Sequence, residues 1–209
     1  MRCVRLGAIA VIQSGLTLDE KRDSSADPVM LPYLRVANVQ DGWLDLDDLK
    51  EVTVPRALAN RCSLRTGDVL MTEGGDPDKL GRGTVWPGEI EPCLHQNHVF
   101  AVRPDRSMLL PEYLALVTRT HYARAYFEMT ASKTTGIAST SATKIAGFCV
   151  PLPPSGEQDG IVRSVQERLS DIDALRGRVE QQVALLLERR QALITAAVSG
   201  EMDVPGLAA

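Results

Sequence analysis

Residues 155–200 read SGEQDGIVRSVQERLSDIDALRGRVEQQVALLLERRQALITAAVSG, and this stretch predicts a single long helix. The prolines of residues 151–154 disfavour helix immediately before it, because proline lacks the amide hydrogen that a helix interior needs. Ser155 and Gln158 have the S-x-x-Q spacing of a capping box, and Gly200 is a typical helix stop. We therefore predict a proline elbow followed by one helix that ends at Gly200.

A heptad repeat of apolar residues runs along this predicted helix. When the heptad begins at Val162, the first and fourth residues of each heptad form a seam, and nine of its eleven positions are apolar. A lone helix would leave this seam in water, so the pattern predicts a partner helix. Residues 160–198 would span roughly 58 Å at a rise of about 1.5 Å per residue. The residues expected to contact the partner are Val162, Val165, Leu169, Ile172, Val179, Val183, Leu186 and Leu193.

Two arginines, Arg176 and Arg190, occupy the remaining seam positions. A charge buried there is costly unless a carboxylate of the facing helix pairs with it. Asp173, Glu180 and Glu188 are the candidate partners, and such pairs would set the register of the two helices. The alternative is that both arginines bend outward and keep their guanidinium groups in water.

The bulk composition limits the class of protein. The chain has 209 residues, of which 44% are hydrophobic, and a net charge of -4. That length accommodates one domain of about 150 residues with an appended helix, and we expect a globular domain at 1–152, the elbow and helix at 153–200 and a tail at 201–209. The nearly balanced charge neither requires nor excludes a nucleic-acid partner. Because no apolar run reaches eighteen residues and residues 1–15 lack a cleavage site, we expect a cytoplasmic protein that does not enter a membrane.

The four cysteines, Cys3, Cys62, Cys93 and Cys149, are widely scattered and form no C-x-x-C pair. In a cytoplasmic protein such spacing is typical of reduced, mostly buried thiols. We therefore expect no disulfide framework.

Short apolar runs before the elbow predict an α+β fold, with a mostly antiparallel sheet in the globular domain and the coiled-coil helix after it. Residues 33–39 favour a strand, and Asp41-Gly42 is a turn signal that leads into residues 43–46 as a hairpin. Residues 110–120 have helical spacing. The other expected strands are residues 69–72, 84–86, 98–103 and 145–151.

A glycine-rich loop covers residues 73–83, with the sequence EGGDPDKLGRG. Its four glycines would let the backbone approach a polyanion closely, and Lys79 and Arg82 could then contact phosphates or guanine edges. The alternative is that the glycines only make a tight connection between two strands.

Residues 119–144 form the most cationic window of the chain. They contain Arg119, Arg124, Lys133 and Lys144 against the single acid Glu128. Within them, residues 132–141 are rich in hydroxyl groups, which suit hydrogen bonding to phosphates and base edges. We expect Arg119 and Arg124 to hold phosphates, although a mobile connection is the alternative for the hydroxyl-rich loop. The expected contacts in that loop are Ser132, Lys133, Thr134 and Thr135.

The sequence offers no constellation for catalysis. It has no G-x-S-x-G, G-x-x-x-x-G-K-[ST] or G-x-G-x-x-G motif, so we assign no catalytic, cofactor-binding or metal-binding residue. Cys93, His95 and His98 are spaced as C-x-H-x-x-H but lack an evident fourth zinc ligand. The segment 76–79, DPDK, resembles the acid-acid-lysine set of metal-dependent nucleases, yet its carboxylates lie in one loop rather than on separate strands.

Residues 145–158 read IAGFCVPLPPSGEQ, and the end of the helix at 191–201 reads QALITAAVSGE. These two stretches resemble the corresponding parts of the specificity subunit of type I restriction-modification systems. The resemblance extends to pieces of the upstream domain, namely residues 5–7, 33–39, 67–70, 97–99 and 135–137.

The resemblance implies a non-catalytic, DNA-reading subunit whose target recognition domain binds double-stranded DNA. It implies as partners a modification subunit, which transfers a methyl group from S-adenosylmethionine to adenine, and a restriction or motor subunit that uses Mg²⁺ and ATP. It implies no cofactor bound by this chain.

The chain departs from the family pattern because it carries one recognition domain and one spacer helix, where a full subunit carries two of each. It therefore resembles a half subunit, and we expect its seam to pair with that of a second copy in an antiparallel homodimer. Such a dimer would read a bipartite, palindromic site with half-sites about 34 to 36 Å apart, or a multiple of that. A second specificity chain in place of the self-copy, a decoy that binds the methyltransferase without reading DNA, and a nuclease centred on Asp76, Asp78 and Lys79 are the alternatives.

Overall fold

The structure is a computed structural model that describes residues 2–17, 27–75, 80–134 and 137–202. The chain divides into two compact units, one that ends at Val162 and one that begins at Arg163. The strands are β1 Arg2–Arg5, β2 Ala10–Ser14, β3 Pro28–Leu34, β4 Lys50–Pro55, β5 Val69–Thr72, β6 Gly74–Gly75, β7 Gly83–Val85, β8 Leu94–His95, β9 Val99–Pro104, β10 Ser132–Thr134, β11 Ile137–Ser139 and β12 Cys149–Leu152. The α-helices are α1 Arg56–Cys62, α2 Pro111–Thr118, α3 His121–Thr130, α4 Ala142–Gly147 and α5 Ser155–Ser199, and Leu6–Ala8 and Val36–Asn38 form short 3-10 helices.

The described strands form four small sheets in the first unit. Their orders are β2-β9-β5-β7, β4-β3-β8, β10-β11-β6 and β1-β12. Every named pair is antiparallel except β3 with β8. The predicted α+β class, with mostly antiparallel strands and a long C-terminal helix, is therefore confirmed.

The sheet β2-β9-β5-β7 forms the centre of the first unit, and its two inner strands are buried on both faces. Alternate side chains of β5 face different clusters, as strand geometry requires. Val69 and Met71 lie in a cluster with α2, α3 and Phe148, whereas Leu70 lies in a cluster with Trp86. The central sheet thus has a helical layer on one side and an irregular apolar layer on the other.

Residues 33–39 were expected to form a strand, but β3 ends at Leu34 and Val36–Asn38 form a short 3-10 helix. Two other stretches also fold differently from the prediction. Residues 145–151 were expected to be one strand, but Ile145 belongs to α4, and the strand begins only at Cys149. The reason is local, since the side chain of Ser141 caps α4 by accepting a hydrogen bond from the amide of Lys144. Residues 132–141 were expected to be a loop, but most of them form the hairpin of β10 and β11.

The predicted capping box at the start of α5 is wrong. The carbonyl of Pro154, not the side chain of Ser155, accepts hydrogen bonds from the amides that follow. The fully buried Gln158 side chain accepts from the amide of Leu110 at 2.9 Å, and it donates to the carbonyls of Met108 at 2.8 Å and Pro153 at 2.9 Å. Gln158 therefore fixes the elbow against the turn that precedes α2.

The expectation of four reduced cysteines is wrong for two of them. Cys3 and Cys149 form a disulfide between β1 and β12, because antiparallel pairing of the first and last strands makes them neighbours despite a separation of 146 residues. Cys62 and Cys93 are free and buried. Burial raises the pKa of the Cys93 thiol to about 12.

The second unit consists mainly of the rest of α5. The helix ends as predicted, because Gly200 adopts a φ of 76° and the amide of Met202 donates to the carbonyl of Ala196. Within the helix, Arg176 Nε lies 2.9 Å from Glu180 Oε1. None of the described helices is long and apolar enough to cross a bilayer.

Most of the heptad seam is exposed along the second unit, although Val165 is half-buried. Val179 is 56% exposed and Leu186 is 63% exposed, although both are apolar. Val162 differs, because it lies in the core of the first unit and is 7% exposed. The other exposed seam residues are Leu169, Ile172, Val183 and Leu193.

Candidate nucleic-acid interface

The two loops that the sequence singled out meet in one small sheet, β10-β11-β6. Ala138 and Ser139 of β11 pair with Gly75 and Gly74, the glycines that open the glycine-rich loop. The other edge of β11 pairs with β10, where Lys133 lies opposite Ala138. The amide of Thr140 also donates to the carbonyl of Glu73 at 2.7 Å. The sheet therefore fixes the hydroxyl-rich hairpin beside the glycine-rich loop.

Several predicted site residues lie outside the described residues. They include Lys79 and Thr135 from the predicted DNA contacts and Asp76 and Asp78 from the nuclease hypothesis. The backbone of Thr134 is described as part of β10.

The described part of the hairpin presents a cation and a hydroxyl group to solvent. Lys133 and Ser132 are both exposed on β10. Lys144, from α4, donates to the hydroxyl of Ser132 with an Nζ–Oγ distance of 2.6 Å. Lys144 was inside the cationic window but was not selected as a contact. This hydrogen bond adds a second positive charge to the hairpin.

Arg82 and Arg119, which are 37 residues apart in the sequence, converge on one carboxylate. Arg82 Nη1 lies 3.3 Å from Asp41 Oδ2, and Arg119 Nε lies 3.0 Å from Asp41 Oδ1. We call these three residues the Asp41 cluster. Arg82 comes from the glycine-rich loop and Arg119 from the cationic window, and both were predicted to contact DNA. Asp41 connects them, although the sequence identified Asp41 only as part of a turn.

The turn that carries Asp41 is anchored to the central sheet. Its closing hydrogen bond runs from the amide of Gln40 to the carbonyl of Trp43 at 3.0 Å. Thr84 Oγ1, on β7, donates to the carbonyl of Gln40 at 2.7 Å and accepts from the amide of Gly42 at 3.3 Å. The predicted Asp-Gly turn is confirmed, but only a single bridge, Val39 with Leu44, continues it as a hairpin.

The aromatic residues of the cationic window have packing roles. Phe127 and Phe148 are fully buried, with ring centroids 5.3 Å apart, and Tyr126 contacts both rings. Gly81 has a φ of 74°, and a side chain there would collide with the ring of Phe127. The end of the glycine-rich loop is therefore packed against α3, where Arg124 lies half-buried.

The residues of the C-x-H-x-x-H spacing lie in separate environments. Cys93 is buried, and His95 is buried with Nδ1 2.7 Å from the carbonyl oxygen of Val99. Burial lowers the pKa of His95. His98 is exposed and contacts Glu73 instead. Among residues 2–17, 27–75, 80–134 and 137–202, no group of three or more His, Cys, Asp or Glu side chains is arranged to hold a metal ion.

Comparison with known proteins finds relatives of one kind. No family model matches the chain. The chain is 24% identical over 187 residues to the putative type I restriction enzyme MjaX specificity subunit of Methanocaldococcus jannaschii, covering 89% of this chain and 42% of the relative. It is 28% identical to the type I restriction enzyme EcoKI specificity subunit of Escherichia coli, covering 82% of this chain and 37% of the relative. It is 29% identical to the StySPI specificity subunit of Salmonella potsdam, covering 82% and 36%.

Solved structures share the fold. The HsdS subunit from Thermoanaerobacter tengcongensis aligns with 100% of this chain at a TM-score of 0.65 and 20% identity, and the aligned part is 51% of that protein. A chain from a structure of the type I R-M system, described for its complex assembly and conformational transition, aligns at a TM-score of 0.67 and 19% identity over the same shares. The chain thus spans about two fifths of the curated relatives it matches and about half of these solved chains. The chain is therefore similar in sequence to the specificity subunits of type I restriction enzymes, and it shares its fold with solved chains of that system.

Proposed function

We propose that this chain is a DNA-recognition subunit of a type I restriction-modification complex, and that it acts as a half subunit. Two copies pair through α5, each first unit reads one half of a bipartite DNA site, and the pair holds adenine-N6 methyltransferase subunits on that site. The chain itself is non-catalytic. In this proposal the methyltransferase uses S-adenosylmethionine, and a restriction or motor subunit, where one joins, uses Mg²⁺ and ATP.

The observation that carries the proposal is the match to specificity subunits over 82% to 89% of this chain, which corresponds to only 36% to 42% of each relative. A match of this size is what one recognition domain with one helix would give. The exposed seam of α5 supports the pairing, because burial of Ile172, Val179 and Leu186 against an equivalent helix would remove their apolar surface from water.

The DNA-contacting surface of the proposal combines the β10-β11-β6 sheet with the Asp41 cluster. Lys133 and the Lys144–Ser132 pair supply positive charge and hydroxyl groups on the hairpin, and such groups bind both phosphates and base edges. Arg124 provides a further phosphate contact on α3. Thr134, at the end of β10, remains a proposed contact, and so do Lys79 and Thr135 on the segments that join these strands.

The methyltransferase-holding role is supported by apolar residues of α5 outside the seam. Leu185 and Leu187 are 64% and 57% exposed and flank the seam residue Leu186. One facing helix covers only a narrow stripe, whereas three consecutive leucines point to different sides of a helix. Covering all three requires an additional partner surface, which we assign to the methyltransferase subunit.

A salt titration of DNA binding tests the proposed function. We expect the purified complex of this chain with its methyltransferase to bind duplex DNA with an affinity that falls steeply with salt, because neutralising Z phosphates gives a logarithmic slope of about -0.9Z. The methyltransferase without this chain is the matched control and should show a much shallower slope. A decoy protein that assembles but reads no DNA would leave the slope at the control value, and that result would refute the DNA-reading role.

A further inference from the structure

The Asp41 cluster contains two positive charges and one negative charge, all on the surface proposed to contact DNA. We propose that Asp41 is a specificity-determining positioning residue, which holds Arg82 and Arg119 in place and keeps them from binding the phosphates of arbitrary DNA. This inference rests on the proposed function, and it assigns a role to an acidic residue on a surface that binds a polyanion.

The geometry makes Asp41 a fixed partner of both arginines. Thr84 Oγ1 donates to the carbonyl of Gln40 and accepts from the amide of Gly42, and these two hydrogen bonds hold the backbone on either side of Asp41. The arginines come from separate segments, since Arg82 directly precedes β7 and Arg119 follows α2. One carboxylate with an oxygen toward each guanidinium group therefore links the two segments.

Gly42 leaves room for this arrangement. Its φ is 83°, in the left-handed region, and a Cβ placed there would lie 3.0 Å from Arg119 Nη1. A larger residue at this position would press against the guanidinium group. The absence of a side chain at residue 42 thus lets Arg119 lie directly over the turn that carries Asp41.

The exposure of the Asp41 carboxylate argues against a mainly structural role. The side chain of Asp41 is 45% exposed, and those of Arg82 and Arg119 are 22% and 35% exposed, whereas Asp68, which pairs with Arg103 in the central sheet, is 1% exposed. Ion pairs that are open to solvent contribute little to the stability of a fold. Removing the charge of Asp41 should therefore change the behaviour of the two arginines more than it changes the fold.

Electrostatics explains how Asp41 would favour base reading over phosphate binding. A phosphate is an anion, so it is repelled by the carboxylate and must compete with it for the guanidinium groups. The acceptor atoms of a guanine edge are neutral and need an arginine held in one orientation. The carboxylate therefore weakens contacts with phosphates more than contacts with a correctly placed base.

The test compares Asp41→Asn with Asp47→Asn in the complete complex with the methyltransferase. Both changes remove one negative charge from the same region of the chain. Asp41 forms ion pairs with two arginines, whereas Asp47 forms no ion pair with any of the described residues. The probes are a random-sequence duplex and a duplex that carries the methylated motif mapped in the host genome. Binding is measured over a range of salt concentrations, and thermal melting checks the fold.

We expect Asp41→Asn to bind the random duplex more tightly and to steepen its salt slope by about 0.9 to 1.8, the change for one or two added phosphate contacts. The preference for the motif over random DNA should fall by roughly tenfold, in the range for one base contact. Asp47→Asn should change neither quantity. A merely structural role would instead weaken binding to both probes and lower the melting temperature.

Two results would overturn the inference in distinguishable ways. In the first, the unmodified complex binds the motif with a steep salt slope, but the Asp41→Asn and Asp47→Asn variants have the same salt slope on random DNA and the same preference for the motif. In that case only the role of Asp41 is wrong. If the unmodified complex shows no salt-dependent binding to either duplex, the proposed function is wrong and this inference is wrong with it.

Discussion

Replacing Val179 and Leu186 together with aspartate is expected to separate the two copies of the chain in the proposed complex. Both side chains lie on the exposed seam of α5, and the pairing would bury them in each copy. Burying a valine or leucine side chain contributes about 1.5 to 3 kcal/mol. Because four such contributions are lost and charges take their place, the dissociation constant of the pair should rise at least about 1000-fold.

Light scattering of the purified complex measures this effect, and circular dichroism confirms that the helix remains. The matched control places aspartate at Ser170 and Gln181, which are exposed positions of the same helix outside the seam. The control should keep two copies per complex. Two copies in the Val179→Asp/Leu186→Asp variant would show that the seam does not hold the pair together.

Replacing Arg82 and Lys133 together with alanine is expected to abolish most of the sequence-specific binding. These residues come from the two loops that meet at the β10-β11-β6 sheet, and each base-reading contact contributes about 1 to 3 kcal/mol. Two lost contacts should weaken binding to the target duplex by at least about 30-fold.

Fluorescence anisotropy with a duplex that carries the mapped motif measures this loss. Lys50→Ala is the matched control, since Lys50 is an exposed cation on β4, which belongs to a different sheet. We expect the control to bind normally and both variants to melt at the wild-type temperature. Unchanged affinity in the double variant would remove both loops from the DNA-contacting surface.

The features that were predicted correctly from the sequence are local ones. The end of α5 follows from Gly200, and its beginning follows the prolines of residues 151–154. The strand at 69–72 follows from a short apolar run beside a turn. Each of these depends on neighbours within a few residues, which fix the backbone directly.

The features that were missed depend on pairing between distant segments. The Cys3–Cys149 disulfide arises only because β1 pairs with β12, and no cysteine spacing indicates that pairing. Gln158 has the spacing of a helix cap, but its side chain binds the segment before α2, 48 residues away. The pairing of β11 with β6 likewise depends on tertiary packing, and no local sequence pattern predicts it.

The candidate site was predictable in its charges but not in its arrangement. Glycines surround Arg82, and hydroxyl-bearing residues surround Lys133. Arg119 begins a window of the sequence that contains only one acidic residue. Asp41 did not stand out, because an aspartate before a glycine has a sufficient local explanation as a turn residue. Its role as the shared partner of two arginines became visible only when the turn, β7 and α2 were seen together.

The most direct test of the central claim, that two identical copies read one bipartite site, is to map N6-methyladenine across the host genome with and without this chain. The account predicts a symmetric motif of two specific blocks separated by a gap, and it predicts that methylation of this motif disappears when the chain is deleted. An asymmetric or ungapped motif, or methylation that persists after deletion, would contradict it.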